Sequence, residues 1–178
     1  MLTKPLGIGA ITTGAKRGIA ADDQVARAIA VMTSLNAGAA AAAREIGIGS
    51  DRPVHAGTDV TGFGLLGHLR EMTSAADVGA MVEVDAVPTI PGARDLLEAG
   101  AVAGGTQRNH AWVSAAVQWG ETSLVAQHLL ADAQTSGGLL LACDPGATDQ
   151  LVAALGRHGA LVAARIGRIT PSGPITIV

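Results

Sequence analysis

The chain has 178 residues, 48% hydrophobic and only 15% charged, with a formal net charge of −3 at pH 7. Its aromatic residues are Phe63, Trp112 and Trp119, so it offers neither the basic surface nor the stacking rings that nucleic-acid binding draws on. A single cysteine, Cys143, excludes an intramolecular disulfide and a cysteine metal cluster. No basic-then-apolar leader opens the sequence, and no apolar run approaches the roughly 20 residues of a membrane span. A cytoplasmic protein without nucleic-acid or membrane partners is expected.

Taken in chain order, Lys4 to Thr13 alternates well enough for an early strand. Asp22 or Asp23 then caps a long Ala-rich helix to about Ile46, with Val25, Ile29, Met32, Leu35 and Asn36 at helical spacing. The run Ala37 to Ala43 reads as a helix pressed closely against neighbours, because Ala is the strongest helix former. Leu65, Leu66, Leu69 and Met72 form the apolar stripe of a further helix. Met81 to Asp85 alternates as a strand, and Pro91 and Gly100 bracket a short helix. Ala103 to Thr106 reads as a loop, Thr122 to Leu130 as a helix, and Leu139 to Cys143 as a buried strand ending in a buried thiol. Asp144-Pro145 opens a helix to about His158. Ala163–Ile169 and Ile175–Val178 are strands around a Pro-Ser-Gly-Pro turn. Interleaved strands and helices, with no repeat and no long linker, predict one α/β (α+β) domain over residues 1–178: a mixed sheet with helices packed on at least one face.

Chemistry concentrates in His55-Ala56-Gly57-Thr58-Asp59-Val60-Thr61-Gly62-Phe63-Gly64. This stretch sets one carboxylate among hydroxyls and glycines, just ahead of a helix start whose free N–H groups attract anions. A bare carboxylate repels phosphate, so the pattern makes chemical sense with a divalent cation between Asp59 and phosphate oxygens. The competing reading is an ordinary turn with Asp59 as a local cap. His55 is placed to orient this loop. Gly104-Gly105-Thr106 with Arg108 and Asn109, and Gln134-Thr135-Ser136-Gly137-Gly138, are two further small-residue loops able to form anion-binding concavities. Arg108 is suited to pair with a carboxylate or phosphate. No GxxxxGK[ST], HExxH or GxSxG occurs.

Together with Lys4-Pro5-Leu6-Gly7-Ile8-Gly9, and in this order, the run from His55 to His68, Gly104-Gly105-Thr106 with Asn109, and Gln134 to Leu140 resemble the C-terminal half of selenophosphate synthetases (selenide, water dikinases). The likeness covers nearly the whole chain. Sister families, such as aminoimidazole ribotide synthetase and thiamine-monophosphate kinase, carry different residues at the Asp59 loop. The resemblance implies the fold of the aminoimidazole ribotide synthetase superfamily's C-terminal domain. It also implies a magnesium-dependent enzyme that makes selenophosphate, AMP and phosphate from ATP, selenide and water, as a homodimer. Asp59 matches the magnesium ligand contributed by this half. The catalytic Cys or selenocysteine, its partner Lys and the other magnesium aspartates belong to an N-terminal half, and Cys143 and Lys4 do not match them. The expected outcome is a shared site, inactive in this chain alone. Half of a sister enzyme, or a non-enzymatic module that binds a partner, are the alternatives.

Overall fold

Gly7 takes φ +118°, and the chain turns there into a helix where alternation predicts a strand. The computed structural model describes residues 1–178, and its first element is α1, Ile8–Lys16. Leu6, Ile8 and Ala10 alternate, but Ile8 and Ile11 stand three apart, the spacing of one helix face. In the fold both are buried against α2 (Asp22–Thr33) and α5 (Ala93–Glu98) in a cluster with Ala28, Val31, Ile90 and Leu96. Tertiary packing has selected the helical reading of an ambiguous pattern.

The long helix expected from Asp22 to Ile46 is two helices, α2 and α3 (Ala37–Ile46), bent by 47°. No single helix is long and apolar enough to cross a membrane. Asp22 and Asp23 lie in the first turn of α2 after Ala21, whose N–H is bound by the Gln24 side chain at 2.9 Å. Ile29 and Leu35, expected on the buried stripe, are exposed, and Ala28 and Val31 face the core instead. The Ala-rich stretch behaves as its composition predicts. Ala39, Ala42 and Ala43 are buried against Leu151 and Leu155 of α8 (Thr148–Arg157), and a Cβ at Gly38 would lie 2.1 Å from the His158 carbonyl oxygen.

Val54–Asp59 forms β1, so the first half of the chemistry-bearing motif is a strand and only Val60–Phe63 is a turn. It pairs antiparallel with β4 (Leu139–Cys143), Asp59 standing opposite Leu139. After α4 (Gly64–Ala76) come β2 (Gly79–Val82), α5, α6 (Gly104–Val113), β3 (Val117–Gln118), α7 (Leu124–Leu130), β4, α8, β5 (Gly167–Thr170) and β6 (Ile175–Ile177). The strand expected over Met81–Asp85 thus lies slightly earlier and gives way to a 3₁₀ turn at Val84–Ala86. Gly104–Thr106, expected as a loop, is the first turn of α6, where glycine costs less than in a helix interior.

The second sheet runs β3-β6-β2-β5. Its β2–β5 pair is antiparallel, while β2–β6 and β6–β3 are parallel. The strands flanking the Pro-Ser-Gly-Pro turn are therefore separated by β2 and do not pair with each other. Leu2 bridges Leu140 and Ala164, and it belongs with Leu65, Leu66, Leu129, Leu130, Ile175 and Ile177 to the central core. The result is the expected mixed α/β fold. The sheet carrying Asp59 is the smaller, two-stranded one.

Candidate functional site

Asp59 ends β1 with its side chain exposed, and its carboxylate accepts no hydrogen bond from the chain. The next residue, Val60, is fully buried and donates its N–H to the Gly138 carbonyl at 2.8 Å. That anchor holds Asp59 outward while the chain behind it turns. Thr61 O accepts the N–H of Gly64 and of Gln134, each at 3.0 Å. Gly64 adopts φ +71°, and a Cβ there would sit 2.6 Å from the Ala131 carbonyl oxygen, so only glycine fits.

Both of the other small-residue segments reach this turn, through atoms the sequence did not single out. Gln134–Gly138 contributes its backbone, and α6 contributes Asn109, whose Nδ2 donates to Gly62 O at 2.8 Å and Ala131 O at 3.1 Å. Arg108 points to solvent without an ion pair, and the glycines at 104 and 105 start a helix. His55 does not orient the loop. It sits at the far end of β1, with Nε2 2.8 Å from Asp144 Oδ1, and the hydrogen bond to that carboxylate raises its pKa. The orienting histidine is His68 of α4, which is buried, with Nε2 3.1 Å from Thr61 Oγ1 and Nδ1 3.1 Å from Glu71 Oε2. Cys143 ends β4 half-buried, not fully buried as expected, with Sγ 3.9 Å from Thr148 Oγ1.

Two buried charges escaped the sequence reading. Asp132 is fully buried. Its Oδ2 accepts from Gly9 N (2.9 Å), Ala10 N (3.3 Å) and Gln134 Nε2 (2.9 Å), and its Oδ1 accepts from Thr106 Oγ1 at 2.8 Å. It thereby ties the start of α1 and the first turn of α6 to the Gln134 turn. Burial pushes its pKa up to about 6, against the opposing pull of the Thr106, Ala10, Gln134 and Gly9 donors. Lys4 is 2% exposed, and its Nζ donates to Ser34 O at 2.6 Å and Ser136 O at 2.7 Å. Burial lowers its pKa. The signal for both was a lone charge inside an apolar run, at Leu129-Leu130-Ala131-Asp132-Ala133 and at Met1-Leu2-Thr3-Lys4-Pro5-Leu6.

No three His, Cys, Asp or Glu side chains are grouped to hold a metal ion. Asp59 supplies one unengaged carboxylate, a single hard-oxygen donor that could hold a divalent cation only together with ligands from outside these residues. An apolar cavity of about 430 Å³ lies away from Asp59, between α4, β2, β4 and β5.

The whole chain, residues 1–178, matches the family model described as AIR synthase related protein, C-terminal domain. Selenide, water dikinase of Escherichia coli O6:H1 is 44% identical over 171 residues, spanning 96% of this chain and 47% of that protein. The same enzyme of Escherichia coli K12 is 43% identical over the same shares. The chain spans about half the length of these curated relatives. Among solved structures, the Escherichia coli hydrogenase maturation protein HypE aligns with TM-score 0.68 at 19% identity, over 99% of this chain and 44% of that one. Thiamine-monophosphate kinase from Stenotrophomonas maltophilia aligns with TM-score 0.54 at 16% identity, over 99% and 48%. Sequence and fold agree: the chain belongs to the AIR synthase related family, as its C-terminal domain.

Proposed function

We propose that residues 1–178 act as the C-terminal domain of a selenide, water dikinase, sharing one active site with an N-terminal half. The whole enzyme makes selenophosphate, AMP and phosphate from ATP, selenide and water, and it works in the cytoplasm as a homodimer. In this reading Asp59 holds a magnesium ion against the ATP phosphates. The ion supplies neutralisation of the charge that builds during phosphoryl transfer. Val60, His68, Asn109 and Gln134 act by fixing the Asp59 turn. The observation that carries the proposal is the exposed, unengaged Asp59 carboxylate on a turn locked to the Gln134–Gly138 segment, in a chain 44% identical to such enzymes.

A lone carboxylate aligns too few groups for phosphoryl transfer, so the isolated chain is expected to be inactive. Phosphorus NMR with ATP, magnesium and selenide tests this. No selenophosphate from the chain alone, and product on supplying the N-terminal half, with loss in Asp59→Ala, is the expected result. Product from the chain alone refutes the divided site, and activity untouched by Asp59→Ala refutes the role of Asp59.

A further inference from the structure

The turn joining Gln134 to β4 leaves an unusual number of donors unused. The backbone N–H groups of Thr135, Ser136, Gly137 and Gly138 find no acceptor in the chain, although Gly137 and Gly138 are buried. Buried N–H groups are nearly always paired, so those of Gly137 and Gly138 need a partner, while the exposed N–H groups of Thr135 and Ser136 stand beside them free to join in. Ser136 sits in the left-handed region at φ +53°, the conformation in which successive N–H groups line one concavity. The Thr135 and Ser136 hydroxyls are also unengaged.

A separate observation points the same way. The Lys4 ammonium lies 2.7 Å from Ser136 O and is almost wholly buried, yet no carboxylate pairs with it. Its two acceptors are both neutral carbonyls, leaving one of three protons without an acceptor in the chain. A buried cation without a counter-charge is costly, and an anion at the turn removes that cost. The neighbouring carboxylates do not fill this role. Asp132 is engaged with Gly9, Ala10, Thr106 and Gln134, and Asp59 faces solvent opposite Leu139.

We infer that the Thr135–Gly138 turn, backed by Lys4, is an oxyanion site that takes a phosphate group. It lies at the same end of the β1–β4 pair as Asp59, so a phosphate on the turn and a cation on Asp59 are neighbours. The inference rests on the proposed function only for whose phosphate it is: that of the nucleotide or the inorganic phosphate released.

Amide-resolved NMR of the whole 178-residue chain, titrated with sodium phosphate without metal, tests it. The amides of Thr135 to Gly138 are expected to move together and saturably. Removing the ammonium in Lys4→Met weakens phosphate by about fivefold or more, as loss of a charge acting through space across the Ser136–Gly137 peptide does. Ser136→Gly keeps the left-handed turn and its N–H, so it holds affinity within about threefold and serves if Lys4→Met fails to fold. Shifts that are absent, or centred elsewhere in the chain, overturn the site, as does a folded Lys4→Met that binds phosphate unchanged or a folded Ser136→Gly that has lost it. Metal-free ATP moving the same amides at lower concentration than phosphate assigns the site to the nucleotide. Equal or tighter binding of phosphate assigns it to the released product. The same titration in Asp59→Asn reads the turn alone, so failure of the dikinase assay leaves this result standing.

Discussion

Asp132 is a residue whose charge the fold holds at a cost. Its carboxyl is fully buried and surrounded by four donors, and its pKa rises from 3.8 to about 6. A raised pKa means that the folded chain binds the proton more tightly than the unfolded chain does. Stability therefore falls as pH rises from about 4 to about 6, then levels off, with the ionised form costing about 3 kcal/mol. Asp132→Asn removes the charge and keeps the shape. The amide oxygen still accepts from Gly9, Ala10 and Gln134, and the amide nitrogen faces Thr106 Oγ1, which accepts. Urea unfolding of both chains between about pH 4 and pH 7 is the assay, and the difference between them cancels the other titrating groups. That difference is expected to move by about 3 kcal/mol in favour of the Asn variant as pH rises. A difference constant across the range refutes the reasoning. An Asn variant that loses ground as pH rises means instead that the charged hydrogen bonds outweigh burial.

Other substitutions separate support from chemistry. Asp59→Asn touches an exposed side chain without partners, so its unfolding free energy stays within about 0.5 kcal/mol while reconstituted dikinase activity is lost. Gly64→Ala forces a Cβ to 2.6 Å from the Ala131 carbonyl oxygen at φ +71°. Strain of about 2 kcal/mol or more is expected, lowering Tm in a thermal melt by roughly 5 °C or more. His55 is expected to titrate above the ordinary histidine range in proton NMR, and Asp144→Asn to bring it back. The stabilisation from this pair is present below pH 6.5 and disappears as pH rises through the folded pKa. Because both side chains are about half exposed, it amounts to less than about 0.5 kcal/mol in a double-mutant cycle.

Much of the architecture lay open in local pattern. The Leu65–Leu66–Leu69 stripe gave α4, the apolar run from Leu139 gave β4, and the Ala-rich stretch announced the close α3–α8 contact. These succeed because periodic apolar spacing and small side chains act over a few residues. The motifs around Asp59 and Gln134 were equally legible, and so was their place in one family. Elements that failed did so where a distant residue decided. The Asp22–Ile46 run breaks at Ser34 because Lys4 binds the Ser34 carbonyl and Asn36 binds Gly137 O, and helix propensity carries no trace of either. The Leu6-Ile8-Ala10 alternation fits a strand and the Ile8–Ile11 spacing a helix, and burial of both isoleucines against α2 and α5 decides between them.

The site divides in the same way. Sequence alone marked Asp59 and the small-residue turns, since a carboxylate among hydroxyls and glycines can hold a cation against phosphate, with an ordinary turn as the competing reading of the same residues. Tertiary structure alone replaced His55 with His68 as the residue that steadies the turn, and brought Asp132 and Lys4 against the Gln134–Gly138 segment. The physical reason is that a buried charge is paid for by donors and acceptors far apart along the chain. Lys4 and Ser136 lie 132 positions apart, and Gly9 and Asp132 123, distances that only folding closes.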